Sequence, residues 1–126
     1  MSVLTQPPTM GDVLKYELNP NFTRETVTLL AGASYPVGAV LGRITASGKY
    51  KLATSGGTDG AQTAAAVLLY ATDASAADAE AVVVVRGPAI VSKATLVFDA
   101  SVDDAAKTAA KHAQLTALGI IPRDAA

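Results

Sequence analysis

Hydrophobic residues fall into short, strand-length groups along the first hundred residues and take up a helical spacing only after them. Leu14, Tyr16 and Leu18 alternate with Lys15 and Glu17, the period of a strand with one apolar face. Asn19-Pro20-Asn21 breaks the run, because proline restricts the residue before it and asparagine favours turns. Arg24 to Leu30 alternates again, with Val27 and Leu29 on one side and Thr26 and Thr28 on the other. Tyr35 to Leu52 predicts a β-hairpin around Ser47-Gly48, where glycine supplies the positive φ of a tight turn, and Pro36, Gly38 and Gly42 argue against helix. Ala64 to Ala71 predicts a buried strand centred on Val67, Leu68 and Leu69. Val82 to Val85 is four valines in succession, whose β-branched side chains suit a pleated sheet; apolar on both faces, it predicts a central strand. Arg86-Gly87-Pro88 turns the chain into a further strand at Ile90-Val91, and Leu96, Val97 and Phe98 form the last large apolar cluster.

The period then changes. Ser101 as a cap, with Asp103 and Asp104 in the first turn, predicts a helix at about 102–118 that stops at Gly119, with Ile120 making the cap contact and Pro122 just beyond. Val102, Ala106, Ala109 and Ala113 give it one narrow apolar stripe, while Lys107 and Lys111 share another face. Asp73 to Ala79 reads as a small acidic connector with the reach of a helical turn. Met1 to Met10, with Pro7-Pro8 and no apolar period, reads as a mobile tail.

The fold class that follows is mainly β: a small β-rich domain with one short C-terminal α-helix and an extended N-terminal arm. At 126 residues the chain makes one domain with extensions. We divide it into an arm, 1–22, and a β-rich domain, 23–126. Of the apolar half of the chain, 26 residues are Ala, each of which removes little surface from water, so association with copies of itself or with a larger body is a natural supplement to the core. For the arm strand from Leu14 to Leu18, packing on its own domain and pairing with another chain are equal alternatives, since an exposed strand is a template for strand addition.

Charge and chemistry narrow the function. Ten basic residues against 11 acidic ones, scattered and not striped, argue against a nucleic-acid surface. No apolar run reaches the length of a membrane-spanning helix and no basic-then-apolar leader opens the chain, so the expectation is a soluble protein without a secretory signal. With no cysteine there is no disulfide, thiolate nucleophile or sulfur ligand. His112 is the lone histidine and no serine stands in a nucleophile-elbow motif, so His112 reads as a solvated cation near the helix end. Asp103 and Asp104 are adjacent on a helix and diverge, which suits capping better than a catalytic pair. Asp59, Asp73, Asp78 and Glu80 lie in loops without a cation-binding motif, and the glycines of the loop from Thr54 to Thr63 lack the Gly-Lys-Ser/Thr ending of a phosphate cradle. We assign no catalytic residue, no cofactor and no metal; the chain reads as a binding or structural module and not as an enzyme.

One family carries the same pattern. Tyr35-Pro36-Val37-Gly38-Ala39-Val40-Leu41-Gly42-Arg43-Ile44, then Gly48-Lys49-Tyr50, Asp59-Gly60, Ala65-Ala66-Val67-Leu68-Leu69 and Val84-Val85-Arg86-Gly87-Pro88 resemble the bacteriophage lambda-type head decoration proteins. Arg24-Glu25-Thr26-Val27-Thr28-Leu29 and the C-terminal helix join the resemblance, which spans roughly Thr23 to Ile121; the segment before Thr23 departs from the pattern. The resemblance implies a partly open barrel or β-tulip-like domain that forms homotrimers. It further implies that these trimers sit on the outer surface of an expanded icosahedral head at three-fold and quasi-three-fold positions and stabilise it against internal DNA pressure. Family members are not enzymes, assemble in the host cytoplasm, and bind the major capsid protein through N-terminal arms, with no nucleic acid or membrane as partner. On this reading the capsid-binding arm residues are Leu14, Lys15, Tyr16, Glu17, Leu18 and Phe22. The rival is another β-rich phage or surface module, a tail, fibre or carbohydrate-binding piece, which would need an exposed aromatic platform drawn from Tyr16, Phe22, Tyr35, Tyr50, Tyr70 and Phe98.

Overall fold

The computed structural model describes residues 10–124. The reading of the first ten residues as a mobile tail therefore falls, Met10 apart, outside the described residues. A helical turn, α1 (Met10–Val13), leads into β1 (Leu14–Glu17), and a second turn, α2 (Pro20–Thr23), leads into β2 (Arg24–Leu29). Asn19 caps α2, its side-chain oxygen accepting from the Asn21 amide at 2.9 Å, and Pro20 takes the first helical position, where its missing N–H costs nothing. Then come β3 (Ala33–Tyr35), β4 (Val40–Arg43), β5 (Tyr50–Leu52), β6 (Ala64–Leu68), β7 (Thr72–Ala74), β8 (Ala79–Val84) and β9 (Ala89–Ser92). A 3-10 turn at Lys93–Thr95, the helix α3 (Ala105–Ala117) and β10 (Ile120–Arg123) complete the order.

Five strands close a barrel in the order β2-β5-β4-β6-β8. The hairpin expected around Gly48 is β4 with β5, antiparallel, Leu41 opposite Leu52 and Arg43 opposite Tyr50. β2 and β8 pair over six residues, from Arg24 with Val84 to Leu29 with Ala79. The seam between β2 and β5 is thin: one parallel pair, Leu29 with Tyr50, and the bond from the Leu30 amide to the Tyr50 carbonyl at 2.8 Å. A second sheet, β1-β9-β10, lies outside the barrel, and β3 pairs with β7 as a small third one.

The valine run has its explanation here. Val83 belongs to the barrel interior with Leu29, Leu41, Leu68 and Tyr50, while Val84, one residue on, belongs to a second core with Val67, Val91, Leu115 and Ile120. β4 and β6 divide their side chains the same way, Val40 and Val67 to the outer core, Leu41 and Leu68 to the inner. These strands form a wall with hydrophobic packing on both sides, so successive residues must both be apolar. Val13 is fully buried in the outer core, so the described part of the N-terminal segment packs on the domain.

Several expectations change. The helix begins at Asp104, whose carboxylate accepts from the Lys107 amide at 2.8 Å, and spans 105–117, not about 102–118. Ser101 instead donates to Asp99 at 2.6 Å and accepts from the Ser55 amide at 3.0 Å. The alanine stripe faces outward: Ala106, Ala109 and Ala113 are exposed, and α3 buries Lys111 and Leu115. A leucine gains more from burial than three alanines spread along a helix, and it sets the face that turns inward. The segment from Asp73 to Ala79 makes no helical turn; its start belongs to β7. Ile120 and Pro122 are strand residues, with β10 running parallel to β9. β10 is an edge strand, where a proline without an N–H is tolerated.

Candidate functional site

The three-stranded sheet is assembled from both ends of the chain, with β9 in the middle and β1 and β10 as its edges. Ala89 and Val91 of β9 point into the outer core and are buried, as is Ile120 of β10. Alternation along a strand then sends Ile90 outward, and the register places Tyr16 of β1 and Ile121 of β10 on either side of it. The result is an apolar row, Tyr16-Ile90-Ile121, across the outer face, with Tyr16 49% and Ile121 38% exposed. Leu18, 58% exposed, continues from β1 and donates its amide to the Pro88 carbonyl at 3.0 Å; Leu118, also exposed, accepts from the Gly87 amide at 2.9 Å. Most large side chains avoid such exposure, and several gathered on one sheet mark a surface that binds something.

Of the six arm residues singled out in the sequence, the structure brings Tyr16 and Leu18 to this face and turns others away from it. The register shifts between Leu14 and Tyr16, so the two do not share one face as simple alternation predicts: Leu14 packs against the outer core, Tyr16 faces solvent. Lys15 is exposed and donates back to the Gly11 carbonyl at 3.0 Å. Glu17 turns towards the barrel and accepts from Thr23 Oγ1 at 2.6 Å and from Arg24 Nε at 3.0 and 3.2 Å, with an ion pair to the Arg24 guanidinium. Burial pushes the Glu17 carboxyl upward, but the hydrogen bonds from Arg24 and Thr23 and the Arg24 charge outweigh it and hold the group below its ordinary 4.5. Phe22, 46% exposed, lies 5.5 Å below the Arg86 guanidinium, which also donates to the Phe22 carbonyl at 2.5 Å and to Glu25 at 2.7 Å. Glu17–Arg24 and Arg86–Phe22 thus fix the arm to the barrel at two points.

Sequence reasoning missed Ile90 and Ile121 as members of the site, because nothing local announces that residues so far along the chain from Tyr16 join its sheet. For Ile121 the signal was the apolar pair Ile120-Ile121 after the helix stop, too long for a cap contact alone; for Ile90 it was the strand read at Ile90-Val91.

The other groups weighed for chemistry stay apart. His112 is partly buried against the Phe98 ring, centroids 5.8 Å apart, and is not the solvated cation expected; burial and the Lys93 charge press its pKa below 6.5 despite a small opposing effect of Asp124. Asp59 pairs with Lys51 at 2.7 Å, Asp78 with Lys49 at 2.5 Å, and Asp73 accepts from the Ser75 hydroxyl at 2.6 Å. Each carboxylate serves a turn or an ion pair. Among the described residues no three acidic or histidine side chains gather as a metal set, and no described helix is long and apolar enough to cross a membrane.

A five-stranded barrel with an apolar sheet face drawn from both chain ends defines a class: a small β-rich module that acts by binding. The family model of the bacteriophage lambda head decoration protein D matches residues 3–120, and the chain belongs to that family. The match takes in residues 3–22, which lie before the span of the resemblance read from the sequence. The family is one of structural capsid proteins of bacteriophages and places the chain on the phage capsid of the virion. A search of curated proteins found no match.

Proposed function

We propose that the protein cements the head: it binds as a homotrimer to the outer surface of the expanded icosahedral capsid at three-fold and quasi-three-fold sites and holds adjacent major capsid protein subunits together against internal DNA pressure. The observation that carries this reading is the row Tyr16-Ile90-Ile121, half-buried at Ile90 and exposed at its two ends, on a sheet whose edge strand, β1, presents one side to no described strand. An apolar face beside a free edge suits a partner that adds backbone hydrogen bonds and buries side chains together. In this reading 1–22 is the capsid-binding arm and 23–126 the domain that carries it, with Tyr16, Leu18 and Phe22 as contact residues and Leu14, Lys15 and Glu17 setting their positions. Assembly takes place in the host cytoplasm, on the shell, without nucleic acid or membrane.

Three such faces on one rigid trimer act through effective concentration, so weak individual contacts sum to firm attachment. Ordering ten residues costs about 10–20 kcal/mol of backbone entropy; an arm already packed through Val13 and β1 brings part of that order with it. Preference for expanded shells follows if the binding site is formed by several capsid subunits whose relative positions change on expansion.

Co-sedimentation with expanded and unexpanded shells from the same phage, together with the solution mass, tests the reading. Saturable binding to expanded shells at about three copies per three-fold site, as closed symmetry requires, is the expected result. Absence of binding to both shells, or a monomer that binds, would overturn it.

A further inference from the structure

Lys111 is 2% exposed, yet no described carboxylate forms an ion pair with it. Its ammonium donates to the Gln62 carbonyl and, at 3.2 Å, to Gln114 Oε1. Gln114 Oε1 also accepts the Ala64 amide at 2.8 Å, which ties α3 to β6 and fills that oxygen's two lone-pair directions. An ammonium carries three protons; two go to neutral oxygens and the third has no described acceptor. A buried cation is normally paired with an anion, because neutral dipoles offset its lost hydration only in part.

Beside Lys111 lies a cavity of about 80 Å³ lined by Ser55, Lys107, Ala110, Lys111 and Gln114, room for more than one water. Its wall is mostly apolar, from Ala110 and the stems of longer side chains, and four of the five residues that line it, Ser55, Lys107, Lys111 and Gln114, carry a hydrogen-bond donor. No carboxylate lines it. Asp103, 64% exposed, pairs with Lys107 at 2.8 Å, and Asp104 adds a further negative charge near Lys107; neither lines the cavity. Burial lowers the pKa of Lys111, the direction expected of a cation whose counter-charge is missing. We infer that this cleft between α3 and the loop from Ser55 to Gln62 is an anion site that takes one carboxylate-sized group, with Lys111 as its floor and Lys107 at its rim. The carboxylate comes either from solution or from an Asp or Glu side chain of a second copy.

Heteronuclear NMR of the side-chain methylene next to the Lys111 ammonium distinguishes these sources. Sodium acetate titrated into the full-length protein, against sodium chloride at matched ionic strength, is expected to give a saturable shift that chloride does not. Lys111→Met should abolish it, and Lys107→Gln should weaken it about two- to five-fold, the worth of a solvent-exposed charge pair. If the Lys111 signal ignores acetate but moves on dilution from assembled to monomeric protein, the second copy supplies the carboxylate. Equal responses to acetate and chloride, or no response in either arm, would overturn the site and leave a water-filled cavity. Should Lys111→Met fail to fold, Lys107→Gln still decides, since its side chain is 41% exposed and the wild-type titration needs no variant.

Discussion

Gly87 and Gly119 lie back to back: a Cβ on Gly87 would stand 1.8 Å from the Gly119 carbonyl oxygen. Around this contact the Gly87 amide donates to the Leu118 carbonyl at 2.9 Å and the Ala89 amide to the Gly119 carbonyl at 3.1 Å. Gly119 itself has φ +85°, the left-handed conformation that ends α3 and starts β10 beside β9. The pair therefore decides whether Ile121 reaches Ile90.

Gly87→Ala should destabilise the protein by about 2 kcal/mol or more, since backbone must move on both sides of the contact. Urea unfolding checks it, with Gly56→Ala as control: Gly56 has open space around its Cβ direction and should change stability by less than about 1 kcal/mol. Equal effects at the two sites would mean that the close approach is not maintained in solution.

Glu17→Gln should loosen the arm without unfolding the barrel. The Glu17 side chain is 10% exposed and holds Thr23 and Arg24, so the substitution leaves the Arg24 charge without its carboxylate at a cost of about 1–3 kcal/mol. Hydrogen exchange should quicken at the amides of β1 while those of β8 keep their protection. Uniform quickening would place the ion pair in the global fold instead.

His112 makes stability fall on mild acidification. Its Nε2 is buried with no hydrogen-bond partner among the described residues, and its pKa in the fold lies below the unfolded value of 6.5. The unfolded chain takes up the proton first, so the contribution is complete above pH 6.5 and is lost as pH falls through the folded pKa. Glu17, also depressed, loses its contribution lower down, below its ordinary 4.5. Chemical denaturation across this range should show the first decline in the wild type and a flatter profile in His112→Gln.

Tyr16→Ser and Ile121→Ser should each reduce shell binding about tenfold or more while the protein stays folded with only a modest drop in its unfolding midpoint, because both side chains lie on the outer face and neither belongs to the buried core. Point changes separate binding from folding better than removing residues 1–18, which would also take Val13 out of the outer core. Retained binding in both variants would move the capsid contact off this face.

Strand periods, the Gly48 hairpin, the valine run and the glycine stop after the helix were readable from the sequence, because each depends on neighbours within a few residues. So was the β-rich fold class, because strand-capable segments dominated the chain before the helix. The inward face of α3 was not readable, since one leucine and a lysine that donates to the Gln62 carbonyl outweigh a row of alanines, and Gln62 is distant in sequence. Nor was the division of Val83 and Val84 between two cores, or the meeting of Tyr16, Ile90 and Ile121. Alternation states that a residue has two faces to choose between; which face meets solvent depends on what packs against the strand, and here that is chain from the opposite terminus.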